Sequence, residues 1–185
     1  MNRMMRALQV AAGLFAGTLV AGAQGGAPHV AKGLDEWVQG VDHVVAVVYV
    51  PEAGGRRDPV IDGKLHPNVV GKFTKRLSKE QAGRLEGFVT GVHAGGGAAG
   101  CFYPHHGFIY YDKEGEVLGY LGICFGCGTF AAKPGDGLSE LWDLNGIKKL
   151  AEELGLPVFD KEPDEWLAWF KEQRAGKKEP GGEEK

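Results

Sequence analysis

The sequence predicts an α+β domain: an antiparallel sheet built on a central hairpin, with helices packed against it. Three observations carry this. Val44-Val45-Ala46-Val47-Val48-Tyr49-Val50 is a continuous β-branched run of strand length. Two apolar segments, Phe108 to Asp112 and Glu116 to Cys124, flank Lys113-Glu114-Gly115, a turn in which Gly115 supplies the positive φ a hairpin loop needs. Apolar residues at helical spacing follow Ser78 and Asn145, each able to cap a helix.

Taken in order, Gln24 to Gly33 reads as a leader without periodicity, and the Val44–Val50 strand, apolar on both faces, is stopped by Pro51. Glu52 to Gly63 reads as a charged Gly/Pro loop, and Val69 to Arg76 alternates weakly, as a second strand would. Ser78 and Gln81 form a capping box, and the helix they open runs to about Thr90 with Ala82, Leu85, Phe88 and Val89 on one face. His93 to Gly100 is a small-residue loop. The hairpin segments are apolar on both faces, which places them centrally in the sheet. After a Gly/Pro loop, Asn145 caps a helix through Leu154 with Leu144, Ile147, Leu150 and Leu154 inward; Gly155 ends it and Pro157 prevents a restart. A last helix, Pro163 to Arg174, carries Trp166, Trp169 and Phe170. Residues 175–185 form a charged tail expected to stay disordered.

The chain opens with Arg3 and Arg6, then a fourteen-residue apolar run from Ala7 to Val20, then Ala21-Gly22-Ala23. That layout predicts a cleavable signal peptide over residues 1–23 and a periplasmic or secreted product, residues 24–174 forming one domain. The run is too short to span ~30 Å of hydrocarbon as a helix. Cleavage removes both arginines and all three methionines, leaving 19 basic against 24 acidic residues and a net charge of about −5. No basic patch is dense enough for nucleic acid, and no thioether remains as a metal ligand.

Chemistry concentrates in three cysteines and two histidines. Cys101 opens Cys-Phe-Tyr-Pro-His-His-Gly before the first hairpin strand, and Cys124 and Cys127 close the second as Cys-Phe-Gly-Cys. A three-residue loop pairs Asp112 with Glu116, and continuing that register sets His106 opposite Gly122, Pro104 opposite Cys124 and Cys101 opposite Cys127. His106 then shares a face with Cys124 while His105 projects to the other; a one-residue slip exchanges the two histidines.

Cys101, His106, Cys124 and Cys127 are thus candidate metal ligands. Three thiolates and an imidazole suit tetrahedral zinc, and Cys-x-x-Cys is a chelating spacing, so a mainly structural zinc site is expected; copper(I), which prefers sulfur, is the other metal such a set accepts. Four protein ligands leave no position for a catalytic water. Two alternatives stay open. Cys124 and Cys127 can act as a thiol–disulfide oxidoreductase pair, although Gly128-Thr129-Phe130 after them is a poor helix opening. Or the chain is a binding module in which Cys124–Cys127 or Cys101–Cys127 is a plain disulfide and the aromatic C-terminal helix meets a partner. His29, His43, His66 and His93 are expected to serve only local capping. The sequence has no P-loop, dinucleotide fingerprint or Gly-x-Ser-x-Gly elbow, and Gly128 after Cys127 excludes a c-type haem motif.

Cys101-x-x-Pro104-x-His106-Gly107, a strand–turn–strand, then Ile123-Cys124-Phe125-x-Cys127 resembles a group of uncharacterised exported bacterial proteins. The Leu150 to Pro157 stretch is similar to the same group, and the resemblance spans roughly Val69 to Val158. It implies His106 rather than His105 and an envelope location, and no activity.

Overall fold

The computed structural model describes residues 37–51, 56–91, 93, 101–135, 138–158 and 163–175. The expected signal peptide and leader lie outside them, as does the expected C-terminal tail after Ala175, which instead ends a helix. The architecture is α+β, as the patterning predicts. A five-stranded antiparallel sheet has the order β4-β1-β5-β6-β7, formed by β1 (His43–Val48), β4 (Lys75–Arg76), β5 (His106–Tyr111), β6 (Val117–Cys124) and β7 (Thr129–Lys133). A separate two-stranded sheet pairs β2 (Val60–Ile61) with β3 (Lys64–Leu65). Three helices complete the described residues: α1 (Lys79–Thr90), α2 (Leu144–Glu153) and α3 (Pro163–Ala175). No helix among them is long and apolar enough to cross a membrane.

The hairpin β5–β6 sits at the centre, with β1 on one side and β7 on the other. Over most of their length the two hairpin strands are buried on both faces. Ala46, Val48, Phe108, Tyr110, Leu121 and Ile123 join the helices in one cluster, where α1 contributes Leu85 and Val89, α2 Ile147 and Leu150, and α3 Trp166 and Phe170. Val47, Tyr49, Ile109 and Tyr120 pack on the other face against Val60 of β2. Residues alternating along β1 and β5 divide between the two clusters, as the pleat demands.

The segment expected as a charged loop contains β2 and the turn that leads into β3, made by Asp62 (φ 50°) and Gly63 (φ 75°), the positive φ pair of a two-residue hairpin. Its Pro59 seats on Gly107 of β5, where a β-carbon would lie 2.5 Å from the Pro59 Cβ. Three further expectations are corrected. Val69 to Arg76 is not one strand: Val69 bridges Tyr49, residues Gly71–Phe73 form a 3₁₀ turn, and only Lys75–Arg76 pair with β1. The stretch after Cys127 holds strand β7 before the Gly/Pro loop, because β6 has a free edge that Thr129–Lys133 can complete. Finally, Asp143, not Asn145, caps α2: its carboxylate accepts the Gly146 amide at 2.9 Å. The capping box at Ser78 and Gln81 is present with both of its bonds.

Candidate functional site

The hairpin turn forms where the sequence places it, with the Asp112 amide donating to the Glu116 carbonyl and Gly115 at φ 84°. One step later the register changes. Tyr111 pairs with Val117 but Tyr110 pairs with Gly119, so Leu118 is an extra residue and a β-bulge shifts every later pair by one. His106 consequently faces Ile123, not Gly122. The expectation that His106 shares a face with Cys124 is overturned by this bulge: His106 lies with Ile123 on the helix side, and Cys124, the next residue, projects to the opposite face.

Of the four candidate ligands, the structure brings together the three cysteines. Cys101 and Cys127 form a disulfide that spans the base of the hairpin, with 6.2 Å between Cα atoms and a sequence separation of 26. Cys101 is exposed and Cys127 half-buried. The Thr129 hydroxyl donates to the Cys101 carbonyl at 3.1 Å, and the Arg57 guanidinium donates to the carbonyl of Phe102 at 2.7 Å. These bonds tie the incoming chain to the sheet edge beside the disulfide. Cys124 is a free, buried thiol whose sulfur accepts the Cys127 amide at 3.4 Å. Residues 125–128 form a turn that Gly128 leaves at φ 63°. The bond from the Cys127 amide to the Cys124 sulfur keeps the two cysteines in contact at this turn.

His106 is turned away from this trio. It is 1% exposed, one ring nitrogen (Nε2) lies 2.9 Å from the Pro157 carbonyl and therefore donates to it, and Nδ1 has no hydrogen-bond partner among the described residues. Its ring meets Phe125 at 4.8 Å and Trp166 at 5.5 Å, both edge-on. His105 is also buried and also reaches α3, stacking on Trp166 with Tyr103 edge-on at 5.1 Å. Burial lowers the His105 imidazole to about 4 against a weak opposing bond to the Tyr49 carbonyl. Burial likewise lowers His106 to about 3, with a smaller contribution from neighbouring His105. Both rings are neutral at ordinary pH, which suits their place in an aromatic cluster. Among the described residues no three His, Cys, Asp or Glu side chains converge as a metal group.

The α3 aromatic residues, which the binding-module alternative turns toward a partner, pack internally: Trp166 and Phe170 are buried, and Trp169 packs on Phe73 at 5.2 Å. His43, His66 and His93 make local contacts, to the Asp42 carboxylate, the Asn68 amide and the Gly87 carbonyl respectively. His29 lies outside the described residues. The pairing of His105 with Trp166 across 61 positions had no local signal, since neither residue carries a motif. No known protein family matches the chain, and no curated protein or solved structure matches it.

Proposed function

We propose that the chain is a small exported domain whose Cys101, Cys124 and Cys127 carry out thiol–disulfide exchange. The observation that supports this most directly is the placement of a free thiol, Cys124, with its sulfur on the backbone amide of Cys127, whose own sulfur is already bridged. Attack of the Cys124 thiolate on the Cys127 sulfur forms a Cys124–Cys127 bond and breaks the bond to Cys101. The electron pair leaves on Cys101, the exposed member, as a thiolate. That thiolate is then available to a disulfide of another exported protein. Export itself rests on Arg3, Arg6 and the Ala7–Val20 run.

A second reading is favoured by the 125–128 turn. A Cys-x-x-Cys whose first sulfur accepts the amide of the second cysteine, left by a glycine at positive φ, is shaped to chelate. On this reading zinc or copper(I) needs Cys101 freed by reduction, since with the bridge formed no three His, Cys, Asp or Glu side chains converge among the described residues; His106 stays outside the set.

Equilibration in glutathione buffers of graded potential, followed by alkylation and disulfide mapping, separates these readings. Exchange predicts peptides with Cys124 bridged to Cys127 and Cys101 alkylated; persistence of Cys101–Cys127 as the sole bridge at every potential would remove the proposal and leave a plain staple. One equivalent of zinc bound by reduced wild type, and lost in Cys124→Ser, would support the second reading.

A further inference from the structure

The turn between β6 and β7 serves two neighbourhoods. Cys124 and Cys127 stand at its ends, joined by the bond from the Cys127 amide to the Cys124 sulfur. Phe125, the next residue after Cys124, packs instead on the helix-side cluster, with its ring edge-on to His106 at 4.8 Å. His106 in turn donates from Nε2 to the Pro157 carbonyl at 2.9 Å and lies edge-on to Trp166 of α3 at 5.5 Å. Its Nδ1 has no hydrogen-bond partner among the described residues, so the Pro157 bond and the ring contacts orient it. Direct contacts thus run from inside the Cys-x-x-Cys span to α3.

The two disulfide isomers make different demands on Phe125. With Cys101 bridged to Cys127, the Cys124 sulfur rests on the Cys127 amide and no covalent bond crosses the turn. Exchange changes this. The Cys124 thiol gives its proton to solvent, the resulting thiolate bonds to the Cys127 sulfur, and the electron pair of the broken bond leaves on Cys101. One disulfide replaces another, so no outside oxidant or reductant is consumed. The new bond closes a ring over Phe125 and the exposed Gly126 alone. A disulfide holds its two β-carbons about 3.8 Å apart. Meeting that distance across two residues sets their φ and ψ, and with them the direction of the Phe125 side chain. Close-packed rings do not follow such a change continuously; a contact is kept or lost.

We infer that exchange at the cysteines is coupled to the docking of α3: the Cys101–Cys127 isomer keeps Phe125 against His106 and α3 in place, and the Cys124–Cys127 isomer withdraws Phe125 and loosens α3. This rests on the exchange reading above and adds its regulation. Coupling of this kind is reciprocal. Whatever loosens α3 therefore favours the Cys124–Cys127 isomer, and the reactive Cys101 thiolate is presented when α3 is displaced. Trp169 gives access to that end of the coupling, since it holds α3 to the 71–73 turn by packing on Phe73 at 5.2 Å.

The test follows backbone hydrogen exchange of α3 in full-chain variants by mass spectrometry, with disulfide mapping of every sample. Cys124→Ser keeps the Cys101–Cys127 bridge and should protect α3 as wild type does. Cys101→Ser leaves Cys124 and Cys127 to pair. Within that variant, α3 amides should exchange about tenfold faster with the Cys124–Cys127 bridge formed than after its reduction, while α1 amides stay unchanged. Comparing one variant with itself removes the general cost of losing the Cys101–Cys127 bridge. Phe125→Ala in the same background should erase the difference. From the other end, Trp169→Ala in the cysteine-complete protein, equilibrated with a trace of glutathione, should raise the ratio of Cys124–Cys127 to Cys101–Cys127 about tenfold. Failure of oxidised Cys101→Ser to form a Cys124–Cys127 bridge would end the exchange reading and the coupling together. A bridge that forms while α3 exchange stays the same overturns the coupling and leaves exchange standing. So does an isomer ratio unmoved by Trp169→Ala, a measurement that needs no cysteine variant to fold.

Discussion

The imidazole of His105 lies flat on the indole of Trp166, with 4.2 Å between ring centroids and 10° between planes. With His106 edge-on to the same indole, it fastens α3 to the end of the central hairpin. The contact requires a ring that gives up hydration, and burial accordingly lowers the imidazole to about 4.

Acid should therefore loosen α3. A histidine with a folded pKa below its unfolded value of about 6.5 binds protons more readily when unfolded, so its contribution is complete above that value and is lost as pH falls toward 4. For His105 the loss is on the order of 3 kcal/mol, and His106 loses its contribution from the same upper limit and on down to about 3. Thermal melts at pH 7, 5.5 and 4 should show a steep fall in wild type and a shallower one in His105→Phe. Parallel curves would refute the assignment.

Removing the disulfide should cost the fold about 3 kcal/mol, because the bridge closes a long loop in the unfolded chain. Denaturant unfolding of Cys101→Ser should show this loss, whereas Cys124→Ala should lose only about 1 kcal/mol, for one small buried side chain. Equal losses would mean that Cys124 shares the bridge at equilibrium.

Gly107→Ala should destabilise by about 1–3 kcal/mol, since its β-carbon would fall 2.5 Å from Pro59 and 3.1 Å from Val47. Gly87→Ala is the control: it is exposed on α1, a β-carbon meets nothing within 4 Å, and helix propensity predicts a gain of about 0.5–1 kcal/mol. Calorimetry of the pair should move the two melting temperatures in opposite directions.

The cap of α2 gives a further comparison. Asp143→Ala should cost about 1 kcal/mol by freeing the Gly146 amide, and exposed Asn145→Ala should change little. A larger effect at Asn145, read by urea unfolding, would restore it as the cap.

Short-range chemistry was legible in the sequence. The β-branched run, the Lys113-Glu114-Gly115 turn, the capping box and the α1 and α2 faces each rest on residues within one or two turns of one another, and each forms as the pattern indicates. What the sequence did not contain was the placement of Leu118. A bulge there satisfies the ladder on both sides of the turn yet moves His106 from the cysteine face to the helix face. The hairpin motif itself is indifferent to that shift; the choice is made by the packing of His106 beneath Phe125 and Trp166 and by the Pro157 carbonyl that accepts from it. The β7 strand is of the same kind, a free sheet edge completed by Thr129–Lys133. Sequence alone set the α+β class, the hairpin and the gathering of three cysteines, because those follow from local periodicity and turn chemistry. Tertiary structure alone decided which cysteines bond and which way each histidine faces, because a one-residue register step costs little in the hairpin and is fixed only by what packs against it.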